Sequence, residues 1–212
     1  MTPETLQRID DILRQAPVVP VLAVADVDDA IPLAETLVAA GLPVLEITLR
    51  TPVALEVIRR MRTVPGAIVG AGTVLTAADL AAVEEAGASF AISPGGTDTL
   101  YAAATQAGIP LLPGIATASE LMRGLEHGWT RFKFFPAESS GGIPALKGFA
   151  GPFAQVKFCP TGGIDAAKAP SYLALPNVIT VGGSWMVPGD ALKAKDWPTI
   201  GALAQAAAVL RG

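Results

Sequence analysis

Apolar residues keep two rhythms along this chain. In short runs they fill every position or every second one, and in longer stretches they recur every three to four positions. The two rhythms take turns. Leu6, Ile9, Ile12 and Leu13 predict an opening amphipathic helix over 3–15, with Thr2 as its N-cap and Pro3 in its first position. Strand-like runs follow at Val18 to Val24, Val44 to Arg50, Ala67 to Val74 and Ser89 to Ser93, and then at Pro110 to Ile115, Arg131 to Phe135, Gln155 to Thr161 and Val178 to Val181. Helical stretches separate them. One begins at Asp26 and ends at Gly41, one runs from Pro52 to about Arg62, and one from Ala77 to Glu85 stops at Gly87. Another runs through Ala107 to Gly108, and one runs from Ala118 to His127. Shorter pieces are expected near 143–149 and 165–174, and a closing helix from Pro198 to Leu210.

Strands alternating with helices at a period of roughly two dozen residues read as parallel βα units. Eight of them predict an α/β fold, a (β/α)8 TIM barrel with an additional N-terminal helix, filling residues 1–212 as a single domain. An open doubly wound sheet is the alternative.

Within the second strand Leu45, Ile47 and Leu49 share one face, and Glu46, Thr48 and Arg50 the other. In an antiparallel sheet the polar face would meet water. In a barrel the helices cover the outside, so the polar face points inward, toward the C-terminal ends of the strands where barrel enzymes keep their chemistry. The sixth strand sets Phe132 and Phe134 on one face and Arg131, Lys133 and Phe135 on the other. A lysine at a strand end commonly carries its head group out to water. Turned inward, Lys133 holds its proton less tightly, and a neutral amine attacks ketones. Beside it Glu46 can take up and return protons, and Arg50 offers a two-pronged donor to a carboxylate. Val69, Ala71 and Thr73 form one face of the third strand, bringing the Thr73 hydroxyl near the same rim, although threonine also serves strands by propensity alone.

Two glycine pairs follow the last two strands, in Thr161-Gly162-Gly163 and Gly182-Gly183-Ser184. Either alone reads as a turn. Together, after strands seven and eight, they are where barrels bind phosphate through bare backbone N–H groups. Gly70-Ala71-Gly72 is no dinucleotide loop, because no third glycine follows at the required spacing and no helix opens there.

Composition narrows the function further. The chain of 212 residues is 51% hydrophobic, yet its apolar runs are strand-sized, so no membrane span is expected. The first residues lack a basic start and an apolar centre, and no secretory signal is read there. A net charge of −4 without a basic run speaks against nucleic acid. The lone Cys159 excludes an internal disulfide and suits a reducing cytoplasm. One histidine and one cysteine cannot supply the usual nitrogen and sulfur metal ligands, and an all-carboxylate site has no local motif. His127 stands before Gly128, where a histidine interacts with a helix end.

Glu46-Ile-Thr-Leu-Arg-Thr51, Phe132-Lys-Phe-Phe-Pro-Ala137, Pro160-Thr-Gly-Gly163 and Gly182-Gly-Ser-Trp-Met186 together closely resemble the 2-keto-3-deoxy-6-phosphogluconate (KDPG) aldolases of the Entner–Doudoroff pathway. The likeness covers nearly the whole chain. It implies a barrel that assembles as a homotrimer, uses no metal or other cofactor, and cleaves KDPG reversibly to pyruvate and D-glyceraldehyde 3-phosphate, with 4-hydroxy-2-oxoglutarate as a further substrate of some relatives. By the same resemblance Lys133 is the Schiff-base lysine and Glu46 the proton shuttle. Arg50 and Thr73 hold the pyruvate carboxylate, Pro94 and Phe135 wall its pocket, and Thr161 meets a substrate hydroxyl. Gly162, Gly163, Gly183 and Ser184 form the phosphate loops. Three rivals stay open. Lys157 also lies in an apolar strand, the galactonate-derived epimer would undergo the same chemistry, and a phosphate-binding barrel without Schiff-base chemistry would share the glycines.

Overall fold

The structure, a computed structural model, describes residues 1–210. Its elements run α1 (Pro3–Leu13), β1 (Val18–Leu22), a 3-10 turn (Val27–Asp29), α2 (Ala30–Ala39), β2 (Val44–Thr48), α3 (Ala54–Met61) and β3 (Ile68–Gly72). There follow α4 (Ala77–Glu85), β4 (Ala91–Ile92), α5 (Asp98–Ala104), β5 (Leu111–Leu112), β6 (Gly114–Ile115), α6 (Ala118–Glu126) and β7 (Arg131–Phe134). The chain closes through α7 (Gly142–Ala150), β8 (Lys157–Pro160), α8 (Ala169–Leu173), β9 (Val181–Gly183), α9 (Gly189–Lys193) and α10 (Trp197–Ala208). Helix starts are set by side chains. Thr2 accepts the Thr5 N–H, with Pro3 behind it, and Thr76 with Asp79 and Thr117 with Glu120 close reciprocal capping boxes on α4 and α6.

Every strand pairing is parallel. The ladder falls into a six-stranded sheet, ordered β5-β4-β3-β2-β1-β9, and a three-stranded one, β6-β7-β8. The α/β order and the parallel sense are as the sequence predicts, but the hydrogen-bonded ladder is not one continuous ring of eight strands. The expected fifth strand is cut by Pro113, which has no N–H to donate, so its two halves join different sheets. Isolated parallel bridges, Phe158 to Val178 and Thr161 to Gly182, span from the three-stranded sheet toward β9.

The last strand lies later than predicted. Val181, Gly182 and Gly183 pair with Val18, Val19 and Pro20. Two glycines weaken a strand read from side chains, but the ladder needs only backbone. The helix expected at 165–174 shortens because the Asp165 carboxylate takes the N–H groups of Ala167 and Lys168 in a turn. Five-residue α9 was not foreseen.

Two apolar layers result. Leu45, Ile47, Phe132 and Phe134 face outward into the layer beneath the helices, with Leu33, Leu37, Val57 and Met61. Ile9, Ile12 and Leu13 of α1 pack on the other side of the strands with Val19, Val44, Ile92, Leu112 and Cys159. At that end Asp10 holds Arg131, the first residue of β7, through two contacts of 2.6 and 2.8 Å. Helix α1 thus covers the N-terminal ends of the strands and leaves the C-terminal ends open. Among the described residues no helix is long and apolar enough to cross a membrane.

Candidate functional site

Strand β2 is buried along its whole length. Because its outward positions are apolar, Glu46 and Thr48 have only the inner face left. Glu46 is 1% exposed and Lys133 6%, and the Lys133 Nζ donates to Glu46 Oε1 across 3.0 Å. Gly72 makes this arrangement possible, since a Cβ built there would overlap the carboxylate of Glu46. The Lys133 ammonium also lies 5.2 Å from the centre of the Phe135 ring. The amine therefore has a proton acceptor in direct contact and little bulk water around it.

Next along the rim, the Thr48 hydroxyl donates to the Leu22 carbonyl and accepts from Arg50 Nε, at 2.8 and 3.0 Å. This fixes Arg50 through one N–H and leaves the rest of its fork available. Thr73 has φ of 61°, a left-handed conformation that costs a β-branched residue strain and clusters at functional sites.

The loop after β8 supplies another kind of group. Gly162 and Gly163 adopt φ of 105° and 77°. The Gly162 N–H faces β9 at the Thr161–Gly182 bridge, whereas those of Gly163 and Ser184 make no backbone hydrogen bond among the described residues. Such clustered backbone donors hold anions. Thr161, just before them, is 6% exposed, with its hydroxyl 4.0 Å from Cys159 Sγ. Burial pushes the Cys159 thiol up to about 12, so it stays protonated.

The buried ion pair, the Thr48–Arg50 rim, Thr73 and the glycine loops border one cavity of about 360 Å³. Every residue that the family resemblance assigns to the site lines it: Lys133, Glu46, Arg50, Thr73, Pro94, Phe135, Thr161, Gly162, Gly163, Gly183 and Ser184. Thr48 lines it too, as the alternation in β2 indicated, and so does Gly182 of the second glycine pair, together with Val21 and Ile164, for which the sequence offered no such signal. The rivals lie elsewhere. Lys157 turns its Nζ to the Pro176 carbonyl at 3.0 Å, outside the cavity. His127 caps the C-terminus of α6, contacts Asp98 at 3.1 Å and stacks on Tyr101. Among the described residues no group of three or more His, Cys, Asp or Glu is placed to hold a metal ion.

At one end the cavity pairs a buried amine with a carboxylate, which is what addition to a ketone requires. At the other it offers backbone N–H donors to an anion. The Arg50 guanidinium in its lining can receive a carboxylate.

Residues 9–203 match the family model described as KDPG and KHG aldolase. The chain is 56% identical over 199 residues to the KHG/KDPG aldolase of Escherichia coli K12, covering 93% of each chain. A structure of KDPG aldolase from Legionella pneumophila, with pyruvate captured at low pH as a covalent carbinolamine intermediate, superposes with a TM-score of 0.92 at 50% identity, covering 94% of this chain and 97% of that one. The 2-keto-3-deoxy-6-phosphogluconate aldolase of Zymomonas mobilis ZM4, solved with 3-phosphoglycerate, gives 0.92 at 54% identity and 96% of each chain.

Proposed function

The chain belongs to the KDPG and KHG aldolase family, and we propose that Lys133 is its Schiff-base lysine and Glu46 its proton shuttle. It is a class I aldolase that cleaves 2-dehydro-3-deoxy-6-phosphogluconate reversibly to pyruvate and D-glyceraldehyde 3-phosphate. The observation carrying the residue assignment is the 3.0 Å contact between Lys133 Nζ and Glu46 Oε1, both buried, in the wall of the cavity.

In this reading the Lys133 amine, after giving its proton to Glu46, adds to the C2 ketone. Glu46 returns a proton to the departing hydroxyl, water leaves, and a protonated imine remains. When the C4 hydroxyl loses its proton, the C3–C4 bonding pair moves toward C2 and is taken up by the iminium nitrogen. The aldehyde is released and an enamine stays on Lys133. Protonation at C3 and hydrolysis then give pyruvate and the free amine. Among the described residues that line the cavity, Glu46 supplies the carboxylate for these transfers.

The substrate is held at both ends. Arg50 and Thr73 receive its carboxylate, while Pro94 and Phe135 wall the three-carbon end. Thr161 meets a hydroxyl, and Gly162, Gly163, Gly183 and Ser184 bind the phosphate. Fixing both ends places the scissile bond over Lys133, so positioning supplies part of the rate. The unphosphorylated 4-hydroxy-2-oxoglutarate carries the same keto acid and C4 hydroxyl, and we take it as a second substrate.

We read the two sheets as arcs of one (β/α)8 barrel in a single domain of residues 1–212. The Thr161–Gly182 and Phe158–Val178 bridges link the arcs on one side, and only Pro113 separates β5 from β6 on the other. A homotrimer working in the cytoplasm without a cofactor is the accompanying proposal. The exposed Leu75 and Met122 offer apolar surface for contacts between copies.

Borohydride reduction in the presence of pyruvate tests the central assignment. The adduct is expected on the peptide containing Lys133. An adduct at Lys157, or none, overturns it, and phosphate-ligand binding without trapping favours the barrel that lacks Schiff-base chemistry. Comparing cleavage of the two C4 epimers separates the gluconate from the galactonate substrate.

A further inference from the structure

Three consecutive carbonyls in the loop after β8 are held from the side of α7 and α8. The Thr161 carbonyl accepts the Ala137 N–H at 2.8 Å, the Gly162 carbonyl the Glu138 N–H at 3.1 Å, and the Gly163 carbonyl the Lys168 Nζ at 2.8 Å. Within one trans peptide the C=O and the N–H point opposite ways. Each held carbonyl therefore turns the N–H of the following residue to the far side: that of Gly162 toward β9 at the Thr161–Gly182 bridge, and those of Gly163 and Ile164 away from Glu138 and Lys168, both residues lining the cavity. Two of the three holds are backbone to backbone. The third depends on one side chain.

That side chain has a second task. Lys168 Nζ lies 2.9 Å from Glu138 Oε2, and the other oxygen of Glu138 accepts the Tyr172 hydroxyl. Glu138 crowds the loop so closely that a Cβ on Gly163 would come 2.8 Å from its Cγ. A carboxylate thus stands beside donors that must accept an anion, and Lys168 neutralises it. Without the ammonium, that carboxylate is uncompensated and the Gly163 carbonyl is free to turn its lone pairs toward the ligand.

We propose that Lys168 is a positioning residue for the phosphate end of the substrate: by holding the Gly163 carbonyl outward it presents the Ile164 N–H as a donor beside that of Gly163. This rests on the reading of that loop as the phosphate site. Lys168 touches no reacting atom, and it sets how firmly a phosphomonoester is held relative to an unphosphorylated keto acid.

The test compares Lys168→Met, Lys168→Arg and the double variant Lys168→Met/Glu138→Gln on two substrates. For Lys168→Met the KM for KDPG rises about tenfold with kcat little changed, the signature of lost uniform binding. Its KM for 4-hydroxy-2-oxoglutarate, and the rate at which pyruvate is trapped by borohydride, stay at the level of the unmodified chain. Lys168→Arg recovers most of the KDPG affinity. The double variant stays weak, because removing the carboxylate cures the repulsion but leaves the peptide unheld. An unchanged KM for KDPG, an equal rise on both substrates, or full recovery in the double variant overturns the proposal. Calorimetric titration with inorganic phosphate keeps the outcome separate from the aldolase assignment. Weaker phosphate binding in Lys168→Met supports the positioning role even if the unmodified chain fails to trap pyruvate, and unchanged binding overturns it.

Discussion

Glu46 Oε1 stands 3.0 Å from Lys133 Nζ although the two residues are 87 positions apart in the chain. The contact spans the space between β2 and β7, which belong to different sheets, so it forms only when both are in place.

Replacing that carboxylate by its neutral isostere keeps the shape and removes the proton acceptor. Glu46→Gln is expected to lower kcat by about a hundredfold or more while changing KM little. Steady-state kinetics with KDPG check this, and an unchanged kcat removes Glu46 from the mechanism.

Gly72 leaves the room that Glu46 occupies. In Gly72→Ala the added methyl displaces the carboxylate from Lys133, so pyruvate trapping slows and kcat falls. Stability drops by about 1–3 kcal/mol as the crowded site adjusts. Equal trapping rates in the two proteins would show that the carboxylate has another place to sit.

The Asp10–Arg131 pair is buried, with side chains 12% and 13% exposed. Asp10→Ala leaves the guanidinium with only neutral partners and is expected to cost about 3 kcal/mol of folding stability, measured by urea unfolding. A loss below about half a kcal/mol would mean that water screens the pair as it does on an open surface.

Cys159 is expected to resist alkylation at pH 8 in the folded protein and to react stoichiometrically once urea unfolds it. Burial holds the thiol at about 12 against 9.0 for a free one. A folded value above the unfolded one gives a contribution that is whole below about pH 9 and is lost as the pH climbs toward 12, so alkaline unfolding should be steeper than in Cys159→Ala. Fast alkylation without urea contradicts this.

The site was legible because its chemistry follows strand alternation. Glu46, Thr48 and Arg50 occur at every second position, as do Arg131, Lys133 and Phe135, and period two decides which face each occupies once helices are known to cover the other. Local spacing also placed His127 at a helix end and Thr2 at an N-cap. What it could not supply was proximity across the chain. Nothing near Lys168 and Tyr172 announces Glu138, which the loop between β7 and α7 brings to the start of α8. The ladder was misjudged where backbone outweighs side chain: Pro113 broke a run that looked uniformly strand-like, and Gly182 and Gly183 entered a strand from which their propensity would bar them.

Because α1 packs against one end of the strand array, the cavity among the described residues opens at the other, and arrival and departure share that doorway. The exposed Gly163 and Ser184 mark its threshold, while Lys133 lies at the back. With the substrate held as proposed, the phosphorylated aldehyde would stand between the bound three-carbon fragment and solvent, and is expected to leave first. Ordered traffic is the expected result: the aldehyde goes out before pyruvate in cleavage and comes in after it in synthesis.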